Sequence, residues 1–167
     1  MSFVNISGPV VANTVYSDGK LVARDVAVTL PEIAPMTADL QAMGTFSLPI
    51  WQLLEHMETA VTKIGIDEGF RAMIKPDMKP FECRWVQTLT DANGHTRNVG
   101  CKAFIKGVPS KIPGIELGVG ETSENEVTIA TSRYVLNVDG KEMVYVDRFA
   151  GIVRIDGKDY ADLDSML

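Results

Sequence analysis

His56 and His95 are the only histidines of this chain, and Cys83 and Cys101 its only cysteines. These residue types do the widest range of chemistry, binding zinc or serving as bases and nucleophiles, but they do it in clusters. The histidines stand in no HxH or HxxxH spacing, and His95 closes Asp91-Ala92-Asn93-Gly94-His95, a turn composition. Cys83 and Cys101 fall on the apolar face of one hairpin, where a free thiol serves as a small buried hydrophobe. Glu121, Glu124 and Glu126 bunch near a strand start. They could bind calcium or act as paired carboxylates, but such runs usually read as solvated charge. Gly118-Val119-Gly120 follows a loop and opens no helix, so it is no phosphate cradle. No GxSxG nucleophile motif occurs. The expectation is therefore no catalytic residue, no metal and no cofactor.

The elements that would position those residues are strands. Val15-Tyr16, Ser17-Asp18-Gly19 and Leu21-Val22 read as a tight hairpin, since Asp-Gly suits positions of positive φ. Residues 25–30 alternate and stop at Pro31. Residues 56–64 read as a strand, and Asp67 through Ile74 as the one short helix, with acids at its positive end. The clearest element is a hairpin pairing 80–90 with 96–106. Phe81, Cys83, Trp85 and Leu89 share one face with Val99, Cys101, Ala103 and Ile105. The other face carries Glu82, Arg84, Thr88, Thr96, Asn98, Lys102 and Lys106, the alternation of a sheet with one wet side. Residues 107–123 are rich in Gly and Pro. A long strand at 125–138 turns at Asp139-Gly140 into a partner arm over 141–155, broken near Gly151, and Asp156-Gly157 is a last turn. The sum is mainly β: a two-sheet antiparallel sandwich or open barrel with one short α-helix.

One stretch does not fit that scheme. Residues 31–50 contain Pro31, Pro35 and Pro49, which exclude a central strand or a long helix. Yet Met36, Leu40, Met43, Phe46 and Leu48 are too apolar for a solvated loop. Ile50 through Leu54 read as a helical turn. Either the segment folds over its own sheet or it is covered by another molecule.

Composition narrows the function class. The chain's 167 residues suit one domain spanning 1–167. Lys and Arg are outnumbered 16 to 22 by Asp and Glu, so a grip on nucleic acid by the outer surface is excluded. Met1-Ser2-Phe3-Val4-Asn5-Ile6 lacks a charged leader, and no apolar run approaches a membrane span, so folding in a cytoplasm with no membrane anchor is expected. Two thiols make no secreted disulfide framework.

Three stretches, in order along the chain, resemble the major tail tube proteins of contractile-tailed bacteriophages. They are Asp25-Val26-Ala27-Val28-Thr29-Leu30-Pro31-Glu32-Ile33; Ile64-Gly65-Ile66 with Phe70-Arg71-Ala72-Met73-Ile74; and Arg133 through Glu142 with Val144-Tyr145-Val146-Asp147 and Ile155-Asp156-Gly157-Lys158-Asp159. The resemblance implies hexameric rings of this chain stacked into a hollow tube inside a contractile sheath, with baseplate, terminator and tape-measure proteins as further partners. It implies a place in the virion tail, assembled in the host cytoplasm, with genome DNA passing non-specifically down the bore. Tailocins and type VI secretion inner tubes share the fold. In the family an extension reaches the neighbouring ring, and the resemblance carries that role onto residues 34–50. Met36, Leu40, Met43, Phe46, Leu48 and Trp51 are then the inter-ring contacts. Glu82, Arg84, Thr88, Asn98, Glu121, Glu124 and Glu126 are candidates for the bore, where net negative or mixed charge is expected. The competing class is a β-sandwich binding module, which needs an exposed aromatic platform that two Trp and four Tyr scarcely supply.

Overall fold

The structure, a computed structural model, describes residues 6–167, with side chains from residue 8 onward. Residues 1–5, most of the stretch read above for a leader, lie outside the described residues. The strands are β1 (Ile6–Ser17), β2 (Lys20–Arg24), β3 (Ala27–Thr29), β4 (Pro35–Gln41), β5 (Thr45–Leu54) and β6 (Glu58–Ile64). After helix α1 (Glu68–Met73) come β7 (Lys79–Thr90), β8 (Thr96–Lys111), β9 (Glu124–Val138), β10 (Lys141–Asp147), β11 (Ile152–Ile155) and β12 (Lys158–Asp159).

Ten strands form one sheet, in the order β12-β11-β10-β9-β8-β7-β1-β2, and every pairing is antiparallel. The sheet forks on one edge of β9. Residues 133–138 pair with β10, and residues 124–130 pair with β6, which carries β3. The fork lets the β3–β6 branch fold over the inner face of β1, β2, β7 and β8. Between them lies the main core, including Val15, Val22, Val61, Phe70, Phe81, Ile105, Val127, Ile129 and Tyr134. The fold is mainly β and sandwich-like as expected, with both layers sharing β9 and no closed barrel.

The turns follow from residue type. Asp18 and Gly19 (φ 50° and 76°) and Asp139 and Gly140 (φ 51° and 77°) supply paired left-handed positions that short Asp-Gly loops tolerate. Helix α1 is too short to be stable alone, so it is fixed from outside. Asp67 caps its start, accepting from the Phe70 amide at 3.0 Å. The buried Lys79 ammonium donates to the carbonyls of Ala72 and Lys75 at its end (2.6 and 2.9 Å), and Phe70 and Met73 are buried.

Two expectations are corrected. Ile50–Leu54 is no helical turn; it continues β5 as extended chain. The arm over 141–155 does break near Gly151, but the break is a reversal: β11 folds back to pair with β10, Asp147 opposite Ile152, so 141–155 is itself a hairpin and not one arm beside β9.

Candidate functional site

The segment that fitted nowhere is a regular hairpin. β4 and β5 pair with each other and, among the described residues, with no other strand. Both are edge strands, which is why Pro35 and Pro49 are tolerated in them. The register sets Met36 opposite Ile50, Ala38 opposite Leu48 and Leu40 opposite Phe46. All six share one face, and Thr37, Asp39, Gln41, Thr45, Ser47 and Pro49 share the other. Ser47 donates to Asp39 across that polar face at 2.7 Å. Phe46 is 53% exposed, and Met36, Leu40 and Leu48 are exposed beside it, with Met43 at the tip. The arm does not fold over its own sheet.

Its root, by contrast, is anchored. Trp51, expected to reach a neighbour, is partly buried against a second core of Leu54, Met57, Val146 and Val153. The Arg148 guanidinium donates to the carbonyls of Glu55 (2.6 Å) and Leu54 (3.0 Å), holding the base of β5 to the turn after β10. Ala38 and Ile50 complete the apolar face and were missed. The period-two alternation of 36–41 and 45–50 carried that signal, but the prolines masked it.

The second surface is the outer face of the main sheet, turned away from the core. Glu82, Arg84, Thr88 and Asn98 lie on it, with Thr88 donating to Asn98 at 3.2 Å.

Comparison with known proteins decides what carries these two surfaces. A family model described as phage tail tube protein FII matches residues 10–163. The chain belongs to the phage tail tube protein family. Two solved structures share its fold. One is a chain of the cryo-EM structure of an extracellular contractile injection system, the PVC sheath-tube complex in the extended state. It has 14% identity and a TM-score of 0.51, covering 78% of this chain and 90% of that one. The other is a chain of the PVC sheath/tube terminator in the extended state, with 13% identity, a TM-score of 0.52, and 77% and 95% covered. No curated protein sequence matches.

In this tail tube protein the seven residues suggested for the bore do not form one patch. β8 runs along β9 from Cys101 opposite Val138 to Lys111 opposite Thr128. Thr88 and Asn98 lie beyond the first end, whereas Glu124 and Glu126, opposite Ile64 and Thr62, lie beyond the other. Glu121 sits in a turn whose amide reaches back to Gly118.

The potentially reactive residues are dispersed as well. His56 contacts Glu58 at 2.9 Å, and His95 contacts Asp91 at 3.3 Å within its turn. Cys83 and Cys101 are buried on the inner face, and burial pushes the Cys83 thiol up to about 11. Among the described residues no three His, Cys, Asp or Glu side chains are grouped to hold a metal ion.

Proposed function

We propose that this chain forms hexameric rings that stack into the inner tube of a contractile phage tail, inside a sheath and between baseplate and terminator. The arm of residues 34–50 makes the ring-to-ring contact, and the outer sheet face turns towards the bore, through which DNA passes on sheath contraction. The observation that carries this is the arm. A ribbon of two strands is marginal in water on its own, and this one exposes Met36, Leu40, Phe46 and Leu48 of its apolar face. Ring stacking is head-to-tail, so it needs an apolar surface outside the monomer's own core, and repetition along an axis turns such a contact into a fibre. Met36, Leu40, Met43, Phe46 and Leu48 supply that surface, while Trp51 serves as its root. The tube of an extracellular injection particle is the second reading, supported by the likeness to the PVC chains.

Negative-stain microscopy of concentrated protein tests it. Wild type should form rings or tubes of uniform bore. Deleting residues 36–48 should leave the β signal in circular dichroism intact and abolish stacking. A strict monomer at every concentration defeats the tube reading, and global unfolding of the deletion defeats the role given to the arm.

A further inference from the structure

The outer face holds a pattern that neither the arm nor the core explains. Strand register places Tyr16, Glu82, Phe104, Val135, Tyr145 and Arg154 in one continuous row across six strands. The row above it contains Arg84 opposite Lys102, and the row below contains Lys106 opposite Arg133. Guanidiniums stack on the rings: Arg84 lies 4.6 Å from the centre of Tyr16, and Arg133 and Arg154 lie 5.2 and 4.6 Å from that of Tyr145. Phe104 is 38% exposed between Lys102 and Lys106. A groove of about 480 Å³ crosses this face beside Thr14, Arg84, Lys102 and Phe104.

Cations held on one face are what a surface uses to meet the phosphates of a nucleic acid without reading its sequence, and here the rings serve to carry three of the guanidiniums. Here the concentration is notable because the chain as a whole has a net charge of −6. Yet two of the five cations are already occupied. Glu82 accepts from Arg84 Nε, and Glu142 accepts from Arg154 Nε at 2.7 Å. Asp159 closes the row opposite Arg154, and Asp147 stands opposite Arg133 in the row below; both carboxylates also accept turn amides, those of Phe149 and Ala150 at Asp147 and those of Val153 and Ala161 at Asp159. Lys102, Lys106 and Arg133 form no ion pair among the described residues.

We propose that Glu82 and Glu142 limit the grip of this face on DNA. Their carboxylates neutralise Arg84 and Arg154, so that a duplex backbone is met weakly and without sequence preference by Lys102, Lys106 and Arg133. The proposal rests on the reading that this face lines the bore, and it supplies what a conduit needs: contact that guides a polyanion without holding it.

The test is fluorescence anisotropy of the soluble protein with a labelled random-sequence duplex across a range of low salt. Each phosphate neutralised adds about 0.9 to the slope of log K against log salt. Glu82→Gln with Glu142→Gln should tighten binding roughly tenfold and steepen that slope by about two, one step per arginine released. Glu32→Gln with Glu68→Gln changes net charge equally but at exposed positions off the face, and should leave binding close to wild type. Arg84→Met with Arg154→Met leaves Glu82 and Glu142 uncompensated on the face and should weaken binding below wild type, the mirror of the Glu→Gln result. Equal tightening in the off-face pair, no change in the on-face pair, or wild-type preference for polyglutamate over DNA overturns the proposal. Because the soluble chain is measured, failure here leaves the stacking result untouched, and failure to form tubes leaves this binding result standing.

Discussion

The hairpin β7–β8 and the hairpin β4–β5 are built by one local rule and end in opposite places. Each is antiparallel, each alternates, and each gathers its apolar residues on one face through its register: Phe81 opposite Ile105 and Cys83 opposite Ala103 in the first, Leu40 opposite Phe46 in the second. The first lies between β1 and β9, and its apolar face is the floor of the main core. Among the described residues the second has no strand on either side, and Met36, Leu40, Phe46 and Leu48 on its face stand exposed. Alternation therefore specifies a strand pair, but cover must come from elsewhere in the chain or from another chain. Where the chain supplies none, an apolar face is an interface in waiting.

The largest expected difference between the two hairpins is in chemical access. Cys83 and Cys101 are buried, and burial holds the Cys83 thiol at about 11, so little thiolate is present near neutral pH. Both thiols should be alkylated at rates set by unfolding, roughly a thousandfold or more below a free thiol. A cysteine introduced at Leu40→Cys should react at the free rate in unassembled protein and be protected in tubes. Rapid labelling of the native thiols, or equal labelling of position 40 in both states, would break the contrast.

In energy the contrast is next largest at two phenylalanines. Phe81→Ala should cost about 3–5 kcal/mol in denaturant unfolding, from lost burial and the cavity left behind. Phe46→Ala should change monomer stability by no more than about 0.5 kcal/mol, yet weaken stacking by sedimentation. Gly107→Ala sits between them. A Cβ there would strike the carbonyl oxygen of Ala130 and lie 2.7 Å from Ile129 Cγ2, in the crowded bulge where β8 changes register against β9. A loss of about 1–3 kcal/mol is expected in thermal melts, with arm-dependent assembly intact once the variant is folded.

These contrasts also show what could be read from residues alone. The β7–β8 pairing was legible down to its faces because alternation and a five-residue turn acted together. The arm was legible as an apolar anomaly but not as a ribbon, since proline rules out only central strands and an edge pair accepts it. Ile50–Leu54 misled because a run of bulky apolar residues has no period that separates strand from helix. The aromatic–arginine row escaped entirely. Its members come from β1, β7, β8, β9, β10 and β11, and the register that aligns them exists only once the sheet has formed. Phe104 gave a local hint, being an apolar residue at a wet-face position.

The smallest effect concerns how the core is closed at its helical end, and it separates the two regions by pH. Asp67 Oδ1 accepts from the Phe70 amide, and Oδ2 lies 3.2 Å from the Lys63 ammonium, which donates in turn to the Val22 carbonyl on β2. The Phe70 hydrogen bond, followed by Lys63, holds the carboxyl below its ordinary value against an opposing push from burial. With the folded value below the unfolded one, the stabilisation is complete above the ordinary carboxylate range and fades as pH falls through the folded value. Asp67→Ala should therefore cost about 1 kcal/mol at neutral pH, the usual worth of an N-cap. The gap between wild type and variant should close as the solution is acidified below about pH 4. Among the described residues no hydrogen bond or ion pair joins the arm to this cluster, so amide exchange in 35–54 should be the same in both proteins at every pH. A gap that persists in acid would assign the loss to packing around Gly69, where a Cβ would meet the Val22 carbonyl, and not to the charge on Asp67.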